Sequence, residues 1–486
     1  MTDQTDLSET IARKDDEQLP VPEHRLHGPG HFLGLYAAEH VAATEFVIGA
    51  AFMALGATIH DILIGLLIGN TLAVLSFWLI TAPIAVKTRL SLYTYLEQNI
   101  GETFSRLYNG ANVLIFVVIS AAMITVSATA LRALFGIPPQ IMPYPTSPAF
   151  ILIAASASVI AVLVAYCGFN VLSEFAPICA PWLMVMFTAG GMVLVPALNE
   201  SLTGYTTLSG FVIVIVADWT TANSNLYRAG LAAQAVFPNT HRGKVTLMVG
   251  AVVVVGSCFP IIYRSFLPLV TCAGLLLVPI GGIVFAEQQL FPRIGMKTYW
   301  YKLSGPRQNV PALVTWGISL IFGFGLNIVN LFPFYYLFVP TWVVSILCDT
   351  MLAKRAGAGG SWPEAETRLA EFGTAVAVHH TGLAAREVLE PIHDTRPLSK
   401  LIKVVWIVIG LMVPAVLAWR VLFNSPDLYA YFVKRELFYE LTIWCTVIYF
   451  TFAWWGGSVP NPCATRRVLP KCLPNRAVLP VRAAAS

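Results

Sequence analysis

The sequence predicts an all-α integral membrane protein, a polytopic bundle of about twelve transmembrane helices. Three observations lead to this class: 57% hydrophobic against only 12% charged residues, a series of long apolar runs, and a one-sided distribution of Lys and Arg. Soluble domains contain roughly 25% charged residues, so a soluble enzyme with a single anchor does not fit. The formal net charge of +4 is scattered over 30 basic and 26 acidic residues, which also argues against nucleic-acid binding.

The apolar runs have the length of membrane-crossing helices, which need about 20 residues. They are expected near residues 33–56, 62–86, 107–131, 149–168, 176–197, 210–236, 245–262, 265–288, 311–330, 332–352, 404–422 and 438–455. Several contain Gly or Pro, which transmembrane helices tolerate. Residues 1–30 are polar and acidic without an apolar core, so the first run is expected to be a retained span and not a signal peptide.

The distribution of Lys and Arg predicts the orientation of these helices. With the N-terminus placed in the cytoplasm, 24 of the 30 basic residues fall on the inner side. Cytoplasmic segments of membrane proteins carry such an excess of positive charge. The sequence therefore predicts a multi-pass protein of the cell (inner or plasma) membrane, with both termini in the cytoplasm.

Five segments follow from this topology. They are a polar cytoplasmic N-terminal segment (1–31), a transmembrane core (32–352), a cytoplasmic loop (353–403), two additional transmembrane helices (404–455) and a basic cytoplasmic tail (456–486). Residues 363–390 of the loop have helical spacing. The tail repeats a Val-Leu-Pro pattern of low complexity, and we assign it no activity.

Three stretches carry a family resemblance: His-Asp-Ile-Leu-Ile-Gly-Leu-Leu-Ile-Gly-Asn at 60–70, Trp-Thr-Thr-Ala-Asn-Ser-Asn-Leu-Tyr-Arg-Ala-Gly-Leu at 219–231, and Pro-Ile-Gly-Gly-Ile at 279–283 followed by Ala286-Glu287. They are similar to the second, eighth and tenth helices of the purine–cytosine permease branch of the nucleobase:cation symporter-1 family. The resemblance implies a core of two inverted five-helix repeats. It also implies cation-coupled uptake, by alternating access, of a nucleobase such as cytosine or a purine, or of a related small planar N-heterocycle.

The same resemblance implies a binding site near the middle of the membrane, where interrupted helices hold substrate and ion. Thr220 and Thr221 would offer hydroxyls to a coupling cation, Na⁺ or H⁺, facing the first helix near Ala42 and Ala43. No other cofactor is expected. The side chains expected to read or stack on the base are Asn223, Asn225, Trp219 and Phe116.

Two departures from the family pattern affect this expectation. Only about a dozen residues separate the fifth-helix and eighth-helix matches, where the family has its sixth and seventh helices. At the third-helix position where the family often has a stacking Trp, this chain has Ile115, with Phe116 beside it. The two spans after residue 400 have no counterpart in the family.

Carboxylates inside predicted spans are costly, by about 2.5–3.5 kcal/mol on insertion scales, and so need an explanation. Glu45 lies halfway along the first span and Asp218 lies within the sixth. We expect one or both to bind the coupling cation or carry a proton. The structural alternative is that each is paired, with Arg228 or His40, or lies in a water-filled vestibule. Asp218 also forms a stripe with Thr221 and Asn225 at i, i+3 and i+7, which predicts a face toward a cavity or another helix.

Other chemistries have weaker support. His379, His380, His393 and Asp394 in the loop match no strong zinc pattern. No catalytic motif is present, so we expect no enzyme activity and a protein whose partners are a small molecule and the lipid bilayer. A non-transporting receptor or scaffold, with the 353–403 loop as its signalling element, remains the main alternative, and a membrane-embedded enzyme a weaker one. Glu287 is expected to pair with the region of Arg293 or Lys297.

Overall fold

The computed structural model of the protein describes most of the chain. The described residues are 18–26, 28–41, 56–194, 208–306, 308–329, 336–386 and 397–457, with the single positions 11, 14, 52, 53 and 331. Every regular element within them is a helix. The chain divides into two compact units: unit one comprises 1–27, 44–122 and 228–388, and unit two comprises 28–43, 123–227 and 389–486.

Seventeen α-helices are numbered here in chain order within the described residues. They are α1 (Pro29–His40), α2 (Ile59–Ser76), α3 (Ala82–Thr88), α4 (Leu92–Ile100), α5 (Glu102–Leu134), α6 (Pro148–Cys167), α7 (Phe169–Leu194), α8 (Leu208–Val236), α9 (Arg242–Ser257), α10 (Ile261–Arg264), α11 (Phe266–Phe285), α12 (Trp300–Ser304), α13 (Val310–Ile328), α14 (Phe338–Arg355), α15 (Pro363–Arg386), α16 (Pro397–Phe423) and α17 (Leu428–Gly457). A π-helical turn, Phe77–Thr81, joins α2 to α3, and another, Ala286–Leu290, continues α11 into a short 3₁₀ helix, Phe291–Ile294.

Seven helical stretches of the described residues are long and apolar enough to cross a membrane. They are Ile59–Thr88, Glu102–Arg132, Pro148–Cys167, Phe175–Val193, Pro268–Ile294, Val310–Ile328 and Leu401–Phe423. Helices α8, α14 and α17 occupy three further predicted spans without meeting that criterion, and α9 has 16 residues. Half of the first predicted span lies outside the described residues. A helical protein with several membrane-length helices is therefore established, and the total of twelve remains a prediction.

The first of these stretches exposes its side chains along its whole length. Helix α2 begins with a capping box, in which the Thr58 hydroxyl accepts from the Asp61 backbone N–H and the Asp61 carboxylate accepts from the Thr58 backbone N–H. Neither α2, α3 nor the π-helical turn between them contains a buried residue. Its apolar side chains suit a hydrocarbon environment.

Unit one packs α11, α13 and α14 through small residues. A Cβ added to Gly282 would lie 1.8 Å from the Ser345 Oγ, and one added to Gly323 would lie 2.6 Å from the Thr341 Oγ1. Such close approach needs glycine on one helix and a small side chain on the other. A further apolar cluster joins α4 and α5 to α11 and α13 through Tyr95, Leu96, Ile100, Phe104, Tyr108, Ile280, Ile283 and Ala312.

The predicted loop helix also belongs to unit one. Helix α15 confirms the helical spacing of that segment as far as Arg386, beyond which 387–396 lie outside the described residues. Val376 packs with Ile11 and Leu19, so N-terminal residues contact this helix. Lys297 forms an exposed ion pair with Glu366, with the Lys297 Nζ 3.0 Å from the carboxylate.

Unit two is built around α7, which contacts α1, α16 and α17. Trp182 donates its Nε1–H to the Thr446 hydroxyl at 3.2 Å, and the Tyr449 hydroxyl donates to the Ile178 carbonyl at 2.8 Å. Helix α16 approaches α17 closely at Gly410. Helices α16 and α17, the two predicted spans after residue 400, are therefore packed on α7 within this unit.

Candidate functional site

The centre of α8 is polar and buried. From residue 218 to 226 every side chain except Trp219 is buried, and Asp218 and Asn223 are each 0% exposed. Buried polar groups must find hydrogen-bond partners or pay a desolvation cost. This concentration of hydroxyl, amide and carboxyl groups is the reason to look for a site here.

Two threonines of α8 bind the end of α1. The Thr220 hydroxyl donates to the Ala38 carbonyl at 2.8 Å, and the Thr221 hydroxyl donates to the Glu39 carbonyl at 2.8 Å. Each hydroxyl also lies within hydrogen-bond distance of the Ala217 carbonyl, at 2.9 and 3.1 Å. Helix α1 ends at His40, so Ala38 and Glu39 lie in its last turn.

The expected contact near Ala42 and Ala43 lies outside the described residues. The described contact at Ala38 and Glu39 lies about one turn earlier in the chain. Glu45, expected to share a layer with Asp218, also lies outside the described residues. The structure thus describes the threonine side of the predicted contact and leaves the paired carboxylates untested.

Close helix packing places α1 against this site. A Cβ on Gly34 would lie 2.4 Å from the Pro177 Cα, so only glycine fits where α1 meets α7. One turn later, Ala38 belongs to a buried cluster with Ala176, Ala180 and Ala217. These small side chains let the α1 backbone come within reach of short threonine hydroxyls.

The two asparagines have different environments. Asn225 donates its amide N–H to the Thr221 carbonyl at 2.8 Å, whereas neither amide atom of Asn223 has a hydrogen-bond partner among the described residues. Using both amides for one ligand would require an unwound segment, but α8 is continuous through both. The structure therefore separates the two amides, of which only that of Asn225 has a hydrogen-bond partner among the described residues.

The predicted aromatic residues lie in different units. Trp219, in unit two, is partly exposed and meets Phe175 edge-on, with ring centroids 5.3 Å apart. Phe116, in unit one, packs with the buried apolar side chains of Ala229, Ala233, Val245 and Val249. Its described contacts are those of a core residue, which leaves its predicted role in base stacking untested.

The expectation for Glu287 holds only in part, because this residue contacts the Lys297 region through a backbone N–H and not through an ion pair with Lys297. Its carboxylate accepts from the Tyr299 backbone N–H at 2.6 Å, and Lys297 pairs instead with Glu366. Sequence reasoning also missed Asp349, which is buried in α14 close enough to interact electrostatically with Glu287. The sequence contained the signal, because Asp349, like Asp218, is a carboxylate inside a predicted apolar span, where a charge is costly.

Comparison with known proteins adds no assignment: no protein-family model matches the chain, and no curated protein matches it significantly. Within the described residues, no group of three or more His, Cys, Asp or Glu side chains is arranged to hold a metal ion. At the contact between α8 and α1, the hydroxyl oxygens of Thr220 and Thr221 lie beside backbone carbonyl oxygens of α1. These ligands suit a hard cation and not a transition metal.

Proposed function

We propose that the protein is a cation-coupled symporter for a nucleobase, such as cytosine or a purine, or for a related small planar N-heterocycle. In this proposal the chain crosses the cell (inner or plasma) membrane about twelve times, with both termini in the cytoplasm. Its core resembles the two inverted five-helix repeats of purine–cytosine permeases, without the helix pair expected between α7 and α8.

The observation that carries the proposal is the pair of hydrogen bonds from Thr220 and Thr221 to Ala38 and Glu39. Two hydroxyl and two carbonyl oxygens meet where one helix ends against the buried polar part of another. Transporters hold Na⁺ with carbonyls at the C-terminal ends of broken helices. The oxygen types at this contact fit that role, and the threonine hydroxyls would exchange their hydrogen bonds for contacts with the ion.

Asn223 supports the substrate part of the proposal. Its amide has one donor and one acceptor side, and both are buried without a hydrogen-bond partner in the described part of the chain. A nucleobase edge offers complementary acceptors and donors, and a neighbouring Trp219 offers a flat surface for stacking. Binding of both ligands would then favour one of two conformations, through their differential affinity for the two.

The test is uptake by the purified protein in liposomes. Radiolabelled cytosine, uracil, adenine and hypoxanthine are supplied with an imposed Na⁺ gradient, an imposed H⁺ gradient, or neither. We expect uptake of at least one base that depends on one gradient. In Thr220→Val and Thr221→Val variants, ion-dependent uptake should fall about 10-fold or more, because contacts between a polar group and a charge contribute about 1.5–3 kcal/mol.

Thr374→Val is the matched control. Thr374 is exposed on α15 and its hydroxyl donates to the Ala370 carbonyl, so the same substitution should leave uptake unchanged. Absence of both binding and uptake for all bases would overturn the proposal. Binding of a base without uptake under either gradient would favour the receptor or scaffold alternative.

A further inference from the structure

Two carboxylates are buried together in unit one. Glu287 lies in the π-helical turn after α11 and is 2% exposed, and Asp349 lies in α14 and is 3% exposed. Contact between Gly282 and Ser345 brings the two helices together one turn earlier. Ala286, next to Glu287, packs in one buried cluster with Ala353, one turn after Asp349. This packing places Asp349 and Glu287 within range of electrostatic repulsion when both are charged.

Glu287 is surrounded by hydrogen-bond donors. It accepts from the Tyr299 backbone N–H at 2.6 Å. With the Asn99 amide oriented to satisfy its neighbours, the Asn99 nitrogen donates to both Glu287 oxygens at 3.2 Å, and its oxygen accepts from the Tyr95 hydroxyl at 2.8 Å. Asn309 holds this segment by donating to the Asn99 carbonyl at 2.7 Å. These donors stabilise the ionised form of Glu287.

Asp349 has no comparable support. Among the described residues no group donates a hydrogen bond to its carboxylate, and no Lys, Arg or His forms an ion pair with it or with Glu287. The other titratable groups facing the pair are Tyr95, Tyr299 and Cys348. Burial, together with the charge of Glu287, raises the pKa of Tyr95 well above its usual range, so its phenol stays neutral.

Two negative charges cannot both persist in such surroundings. Burying one ion without a partner costs several kcal/mol, and a second like charge adds repulsion. The lowest-energy arrangement adds one positive charge to the pair. A proton supplies this charge without needing extra space. Protonated Asp349 can donate a hydrogen bond to the Glu287 carboxylate, which already accepts from other donors.

We propose that Glu287 and Asp349 form a binding site for one proton, carried by the Asp349 carboxyl group and shared through a hydrogen bond to Glu287. Protonation adds one O–H bond on Asp349 and turns the repulsion into attraction. The site is independent of the transport proposal, because it uses no residue of α8 and no substrate. It would serve equally in a transporter, a receptor or a scaffold.

Infrared spectroscopy of the purified full-length protein tests the site directly. A protonated carboxylic acid has a C=O stretch separate from that of a carboxylate, and the stretch shifts in D₂O. We expect Asp349→Asn to remove one such band present at about pH 6 and absent at high pH, because the wild-type pair releases its proton as pH rises. Glu287→Gln should keep the band but shift its frequency, since the acceptor becomes an amide. Asp427→Asn, at an exposed helix-capping position, should leave the band unchanged.

Thermal unfolding provides a second readout. The native pair keeps a proton that an unfolded Asp releases above about pH 4, so the wild-type melting temperature should fall as pH rises and this component should vanish in Asp349→Asn. An unaltered band in Asp349→Asn would overturn the proposal. A second contrary result would be a wild-type melting temperature that rises with Na⁺ concentration at fixed pH, together with loss of this Na⁺ dependence in Asp349→Asn. That result would identify a metal-cation site instead of a proton site. If Asp349→Asn does not fold, the unshifted band of Glu287→Gln would overturn it.

Discussion

Replacing Gly34 with Ala should break the hydrogen bonds between Thr220 and Thr221 of α8 and the end of α1. The added Cβ would lie 2.4 Å from the Pro177 Cα, whereas ordinary contact begins at 3.4 Å. The obstacle is backbone, which cannot rotate away, so α1 must move by about 1 Å. Ala38 follows Gly34 by one turn, on the same face of the helix.

That displacement exceeds what the two hydrogen bonds tolerate. A shift of about 1 Å would stretch donor–acceptor distances from 2.8 Å to nearly 4 Å, beyond hydrogen bonding. Lost interhelical hydrogen bonds cost about 0.6–1.7 kcal/mol each in membranes, and overpacking costs about 1–3 kcal/mol. Ala gains about 1 kcal/mol over Gly in helix propensity, so we expect a net loss of about 1–5 kcal/mol in the free energy of unfolding.

The assay is reversible unfolding of the purified protein in mixed detergent micelles, followed by circular dichroism. Gly30→Ala is the control, because Gly30 lies in the same helix and has no atom within 4 Å of an added Cβ. The control should be unchanged or stabilised by up to about 1 kcal/mol. Equal unfolding free energies for the two variants would refute the argument that Gly34 sets the position of α1.

Two other predictions use different observables. Asn223→Leu removes a buried amide that has no hydrogen-bond partner among the described residues, so the free energy of unfolding should stay the same or rise. Nucleobase binding, measured by calorimetry, should fall about 10-fold or more. Reduced stability with unchanged binding would show that Asn223 serves packing and not binding. Burial, followed by the neighbouring positive groups led by His379, lowers the pKa of His380, so stability present above about pH 6.5 is lost as pH falls. His380→Asn should reduce the drop in melting temperature between about pH 7.5 and about pH 5.5, and an undiminished drop would contradict this assignment.

The coarse fold class, a helical protein with several membrane-length helices, was predictable from the sequence because it depends on composition and run length. The first and last residues of individual helices were harder to predict from the sequence. Helix α9 ends at Ser257, inside the predicted run 245–262, and the following residues form a separate short helix. Hydropathy reports where apolar residues lie, but it does not distinguish one long helix from two joined by a turn.

The threonine side of the candidate site was predictable from the resemblance, since Thr220 and Thr221 were expected to face the first helix. Their partners were not, because the end of α1 depends on where its backbone leaves helical geometry, at Val41. Asn223 and Asn225 share a residue type but not an environment. On the continuous helix α8 the two side chains point in different directions. The Asn225 amide therefore bonds to a carbonyl of its own helix, whereas the Asn223 amide has no partner among the described residues.

The termination of α1 and the threonine pair of α8 are one structural feature. The Val41 N–H bonds to the Ala37 carbonyl at 3.1 Å, but Val41 itself has φ −93° and ψ 81°, outside helical geometry. The carbonyls of Ala38 and Glu39, in the last turn of α1, accept hydrogen bonds from the Thr220 and Thr221 hydroxyls. Adjacent threonines can supply both hydroxyls within one turn, which a single threonine cannot. A pair of threonines on a buried helix thus stabilises the helix end beside it.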